Sequence, residues 1–274
     1  MLRRQINDNS VLSWNERGVA LLIVLLITAL LIALIFEFSY ATRISLNSAV
    51  NFRNSQQADI LAQSGIRAFI RGGKPLRDYF KQGLWHPLPI GDSDIEFIWW
   101  DESGKIKITN VKNEPTLSMA RGLFENVKQI DVAVINNLVD QFNDVSKLKL
   151  LSGLRQYMSD EDFDKVKDSL TVSNVNPNLI NINAAPRDVL LGLGIISGDV
   201  DRIVKDRVTE PYGDLSNVPG IGTIRMGSGL MLSSYLTTTE GAFFKVTTSA
   251  TVGGYTRQVE AIVSGNIFSY WRAL

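Results

Sequence analysis

The sequence predicts an α+β fold: a long N-terminal helix, apolar and then amphipathic, packed on a small antiparallel sheet, with a large all-helical insertion between the strands of that sheet. Three observations carry this expectation. An uncharged apolar run from Val19 to Phe36 is followed by residues at helical spacing, with no Gly or Pro as far as Ser64. Segments rich in Val, Ile, Thr and aromatic residues lie near 94–111 and again near 243–263. Between them, apolar residues recur at helical spacing.

The run VALLIVLLITALLIALIF at 19–36 corresponds to roughly 27 Å of helix, enough to span the hydrocarbon of a bilayer. Arg3, Arg4 and Arg17 precede it, whereas Arg43 and Arg53 follow at a greater distance. That bias predicts a cytoplasmic N-terminus and a body on the other side of the membrane. A cleaved secretory signal ending near Ser39-Tyr40-Ala41 is the competing reading. The continuation argues against it: Ile44, Val50, Ile60, Leu61 and Phe69 keep helical spacing, so one helix of about 46 residues, close to 70 Å, leaves the membrane with an amphipathic second half.

In the soluble part, Asp94–Trp100 and the following KIKITNV flank a turn at Glu102–Lys105 and predict a hairpin. A second hairpin is predicted from Phe243–Val252 and Tyr255–Val263, because Gly253-Gly254 suits a two-residue connection with positive φ. Helices are expected at 115–124, 130–140, 159–170, 186–193 and 198–207. The chain thus leaves a sheet, builds a lobe and returns to complete the sheet.

The bulk chemistry excludes several functions. Lys plus Arg equals Asp plus Glu at 28 each, so no global field draws the chain to nucleic acid. With no cysteine and a single histidine, His86, a zinc site cannot be assembled, and His86 reads as a loop residue. No Gly-x-Ser-x-Gly elbow is present, so no catalytic constellation is expected and the chain is not an enzyme. Asp160, Asp162 and Asp164 imitate the start of a calcium loop but lack its glycine and closing glutamate. Ser159 with Asp162 reads better as a capping box. Asn217-Val218-Pro219-Gly220-Ile221-Gly222 resembles a helix-hairpin-helix turn, yet only Arg225 follows nearby, so a structural turn is expected in place of a phosphate site.

Glu16-Arg17-Gly18 followed at once by Val19-Ala20-Leu21-Leu22-Ile23 resembles the cleavage site of type IV prepilins and type II secretion pseudopilins. The resemblance implies that prepilin peptidase cuts after Gly18 and that Val19 becomes the N-methylated first residue. Most of that family carries Glu at the fifth mature position, which here is Ile23. A carboxylate in hydrocarbon costs about 2.5 to 3.5 kcal/mol unless a neighbour's amine meets it, so a subunit with none above it has no use for one. The minor pseudopilins of the K kind, thought to cap the pseudopilus tip, lack this Glu and have an unusually large soluble domain. Asp101-Glu102-Ser103-Gly104-Lys105-Ile106-Lys107-Ile108 is similar to their D-E-x-G-K segment. Leu179-Ile180-Asn181-Ile182-Asn183-Ala184-Ala185-Pro186 is similar to their I-N-x-N-T-A-P run, with Ala184 for Thr, and Ala242–Ser264 resembles their closing hairpin.

The resemblance implies a pilin-like architecture. It comprises a leader at 1–18, a transmembrane helix at 19–36, its amphipathic continuation at 37–71, the first part of the α+β module at 72–111, a helical lobe at 112–238 and closing strands at 239–274. It implies a bacterial inner-membrane protein with a periplasmic body, acting at the pseudopilus tip to initiate or cap assembly and support export across the outer membrane. Its partners would be the I- and J-kind minor pseudopilins, the major pseudopilin, prepilin peptidase, the inner-membrane platform and membrane lipid, with no nucleic acid. No cofactor is required, although calcium in the lobe is implied by the family. Other readings are a minor pilin of a type IV pilus and a membrane-tethered DNA-binding receptor.

Overall fold

The computed structural model describes residues 9–88, 94–176, 178–226, 229–265 and 267–273; Arg3 and Arg4 of the expected leader lie outside them. The chain divides into two compact units, 1–56 and 57–274. In the first, helix α1 (Asn9–Tyr79) carries the apolar run, and residues 18–53 are all exposed. α1 is the one helix among the described residues long and apolar enough to cross a membrane, which is compatible with a single-pass anchor.

In the second unit α1 becomes a packing element. Ala58, Ala62, Ile66 and Phe69 are buried at spacings of four, four and three, the stripe that a helix buries against a neighbouring layer. The helix breaks at Gly73, whose φ of 54° departs from helical geometry, and resumes through Pro75 to Tyr79. Strands β1 (His86–Pro87) and β2 (Asp94–Asp101) follow. After them the chain enters the lobe through β3 (Ile106–Lys107).

The lobe contains α2 (Thr116–Arg121), a π-turn at Gly122–Val127, α3 (Val132–Asp140), α4 (Phe142–Val145) and α5 (Asp160–Val166). There follow β4 (Leu170–Thr171), β5 (Ile180–Asn181), α6 (Arg187–Gly192), α7 (Ser197–Thr209) and β6 (Leu236–Thr237). The chain then closes the sheet with β7 (Phe243–Val252), β8 (Tyr255–Ser264) and β9 (Ile267–Ala273). Sheet order is β1-β2-β7-β8-β9, antiparallel throughout.

The expected α+β class with a pilin-like helix on an antiparallel sheet is the class observed. The lobe is helix-rich but not wholly helical: β3 pairs with β4 and β5 with β6, both parallel. The helix expected over 159–170 stops at Val166, because Leu170 and Thr171 leave it to pair with Ile106 and Lys107.

The closing hairpin has the expected turn, with φ of 55° at Gly253 and 82° at Gly254, values that residues bearing a Cβ rarely adopt. The first predicted hairpin does not form. β2 pairs along its whole length with β7, while the KIKITNV segment turns into the lobe. Asp101 caps a 3₁₀ turn at Glu102–Gly104, its side chain accepting from the Ser103 amide, and this redirects the chain before it can fold back on β2. His86 stands in the short strand β1, its Nε2 2.7 Å from the Lys81 carbonyl oxygen, instead of in a loop.

Two apolar cores result. Beneath the sheet, Phe69, Phe97, Trp99 and Phe244 meet Ile66, Val246, Ala261 and Val263, with ring centroids 5.9 to 6.4 Å apart around Phe69. The lobe core is mainly aliphatic, built from residues such as Ile106, Leu123, Ile135, Leu138, Val189 and Ile203.

Candidate functional site

The two motifs that stand apart in the sequence meet in space. Asp101, 3% exposed at the end of β2, receives four hydrogen bonds. Its Oδ1 accepts from the Ser103 amide at 2.8 Å and the Ser103 hydroxyl at 2.7 Å. Its Oδ2 accepts from Asn181 Nδ2 at 2.9 Å and the Gly241 amide at 2.9 Å. One carboxylate thereby ties the end of β2, the lobe strand β5 and the approach to β7. A buried charge is tolerable when its lone pairs are filled in this way.

Glu102 and Lys105 form a buried ion pair at 2.5 Å, and the second Glu102 oxygen accepts from Thr171 Oγ1 at 2.5 Å. Gly104 lies against the Ala184–Ala185 peptide, where an added Cβ would collide with backbone, so the D-E-x-G-K turn and the I-N-x-N run interlock only with glycine there. Asn183 extends the join: its Nδ2 donates to the Tyr212 and Thr238 carbonyls, and its Oδ1 accepts from the Tyr212 amide. Gln82 donates to the Asn183 carbonyl at 2.8 Å. Arg207 donates to the Ile182 and Ala185 carbonyls at 2.8 and 2.7 Å, and burial pushes its pKa down to about 10, so it still carries charge at neutral pH.

Nearby, Arg77 of α1 grips Glu240 with two hydrogen bonds, at 2.9 and 3.2 Å, and its guanidinium lies 4.1 Å from the centre of the Phe244 ring. Every described partner in this hub is satisfied by another protein group except the Ser173 hydroxyl beside Thr171. Such a network holds a lobe to a sheet.

The other expected site residues lie elsewhere. Gly18, Val19 and Ile23 are on α1, and Val19 and Ile23 are half exposed. Asp160, Asp162 and Asp164 occupy the start of α5, each already engaged: Asp160 and Asp164 by Arg155, and Asp162 by the Ser159 hydroxyl at 2.8 Å and by Lys165. The Ser159 hydroxyl in turn accepts from the Asp162 amide at 3.1 Å, so the N-cap half of the expected capping box forms, while the Asp162 carboxylate returns to the Ser159 hydroxyl in place of its backbone N–H. These carboxylates therefore fit a capped helix terminus. Among the described residues there is no group of three or more His, Asp or Glu placed to hold a metal ion.

The 217–222 turn packs into the lobe: Val218 and Ile221 are buried, and Gly220, at φ 77°, abuts the Asp199 carboxylate, a poor neighbour for phosphate. The sequence singled out both hub motifs as segments. It did not single out Asp101 and Asn181 as partners, nor Arg207 as the donor to the Ile182 and Ala185 carbonyls, and the only local signal was polar residues set among apolar strand positions.

No family model and no curated protein matches this chain. Among solved structures, it is similar to a chain of the crystal structure described as the GspK-GspI-GspJ complex from the enterotoxigenic Escherichia coli type 2 secretion system. The identity is 13%, the match covers 85% of this chain and 98% of that one, and the TM-score is 0.53. The likeness is one of fold, and it embraces lobe and sheet together.

Proposed function

We propose that this chain is a minor pseudopilin of the K kind in a type II secretion system, anchored once in the bacterial inner membrane with its body in the periplasm. The observation that supports it best is the shared fold across 85% of the chain with a component of a pseudopilin complex, together with an apolar N-terminal helix that lacks an acid at Ile23. Its role is structural and not enzymatic. It is cut after Gly18 by prepilin peptidase, methylated on Val19, and assembled with I- and J-kind pseudopilins at the tip, above the major pseudopilin and the inner-membrane platform.

The mechanism follows from solvation. The side chains of Val19–Phe36 are exposed, and they leave lipid only by burial among like helices, at about 25 cal/mol per Å². With Ile23 in place of Glu, no carboxylate awaits the amine of a subunit above, so the chain starts or ends a stack and does not extend one. Mass spectrometry of the mature N-terminus tests processing: methylated Val19 is expected, and Met1 or Thr42 defeats the reading. Labelling native pseudopili tests position; signal along the whole shaft excludes the tip, and Ile23→Glu is expected to disturb assembly and secretion.

A further inference from the structure

The lobe has an open groove, and none of the residues that line it belongs to the hub. Its volume is about 320 Å³, at the lower end of the range that holds small ligands. Three segments build it: the end of α2 with the π-turn, over 118–126, the corner between α6 and α7 at 192–194, and the stretch 224–226. The corner lies between the other two, because Gly192 packs on Gly122 and Gly194 lies against the Ile224 side chain. A Cβ on Gly122 would collide with the Gly192 carbonyl oxygen, so the seam is bare backbone. Beside it stand the buried Leu193 and Met226 and the half-buried Ile224, which give the groove an apolar floor.

The rim is charged, and the fold does not use up its charges. Arg121 and Glu125 are exposed and stand one turn apart, yet among the described residues neither forms an ion pair or a side-chain hydrogen bond. Arginine ahead of glutamate is the weaker order for such a pair, and the π-turn from Gly122 takes the backbone out of α-helical register between them. Turns of this kind recur at functional sites. Arg225 lines the opposite wall. Its Nη1 donates to the Gly229 carbonyl at 2.8 Å and its backbone bridges Met231, so the guanidinium is held in place with further N–H groups to offer.

Two guanidinium groups against one carboxylate leave the rim with a single net positive charge, which suits a monoanion. A phosphate dianion would meet Glu125, whereas a planar carboxylate matches the fork of either arginine. The apolar floor calls for a side chain and Glu125 for an N–H donor, so the anion that fits is part of a peptide. So small a volume takes a chain end more readily than a chain passing through. We infer that the groove binds the C-terminal end of a peptide. Its terminal carboxylate lies between Arg121 and Arg225, its last side chain is apolar and sits on Leu193 and Ile224, and its last amide N–H donates to Glu125. Such a site goes beyond the assembly role proposed above and does not depend on it.

Calorimetric titration of the full-length chain in detergent, with the N-acetylated tripeptide Ala-Ala-Leu as probe, tests the site. The free acid should bind saturably, and the same peptide with an amidated C-terminus should bind about tenfold more weakly or worse. Arg121→Ala and Arg225→Ala should each weaken binding of the free acid by about tenfold. Both arginines are exposed, so the melting temperature should stay unchanged, which separates loss of the ligand from loss of the fold. Arg121→Lys keeps the charge without the fork and should fall between the native chain and Arg121→Ala. Glu125→Gln should let inorganic phosphate compete with the peptide. No saturable binding of the free acid up to about 1 mM overturns the inference. So does equal binding of acid and amide, equal binding of an amidated peptide with an internal aspartate, competition by phosphate on the native chain, or indifference to both arginine-to-alanine changes.

Discussion

The sheet core and the lobe core are built by different means. Under the sheet, a few large rings do most of the filling: Phe69 is surrounded by Phe97, Trp99 and Phe244, and Phe80 packs edge-on against Phe97 at 5.2 Å. In the lobe, many aliphatic side chains from short helices share the work, and backbones touch where Gly122 meets Gly192. A ring-based core depends on each member, whereas a distributed aliphatic core spreads the loss of a methyl group over several neighbours. The polar hub at Asp101 lets the two behave as one body.

The largest expected effect follows from that contrast. Phe97→Ala, at a fully buried position between Phe69 and Phe80, should cost about 3–5 kcal/mol. Ile135→Ala in the lobe, equally buried, should fall at the low end of the range for such truncations, about 2 kcal/mol. Denaturant unfolding of the detergent-solubilised chain checks both, and equal losses would erase the distinction between the cores.

Next comes the joint. Asp101→Ala strands the Asn181 amide and the Gly241 N–H in a buried setting and should cost about 3 kcal/mol. Because those two donors belong to the lobe and to the return into β7, calorimetry should show one transition becoming two. A single sharp transition at lower temperature would mean that apolar contact alone couples the cores.

What the sequence could disclose depended on how far a signal had to reach. The β7–β8 hairpin was legible because its turn, Gly253-Gly254, lies between its own strands. The α5 N-cap was legible because Ser159 and Asp162 are one turn apart. The supposed β2 hairpin was misread for the converse reason: the true partner of Asp101 across the sheet is Phe244, and local alternation cannot name a strand so distant. The hub was invisible as a unit, since Asp101 finds Asn181 80 residues on and Gly241 140 residues on. β9 was not delimited within the closing strands expected at 239–274, because the closing resemblance ended at Ser264.

Arg207 sharpens the comparison at a smaller scale. Its guanidinium fills the carbonyls of Ile182 and Ala185, so Arg207→Ala leaves two buried acceptors without donors and should cost about 2 kcal/mol. Hydrogen exchange should quicken around 180–186 before it quickens in β7 and β8, placing the damage on the lobe side of the hub. Uniform acceleration would mean that Arg207 serves the sheet as much as the lobe.

The smallest effect tests whether the acidic start of α5 is a cap or a cation site. Ser159→Ala removes the acceptor for the Asp162 amide and should cost about 1 kcal/mol. Ser159→Asp restores an acceptor and should recover most of that loss. If the run is only a helix terminus, adding calcium changes none of these stabilities, because Arg155 and Lys165 already occupy the carboxylates. A calcium-dependent rise in melting temperature that disappears in Asp160→Asn would reverse that assignment and make the lobe, and not the hub, the part of the molecule controlled by an ion.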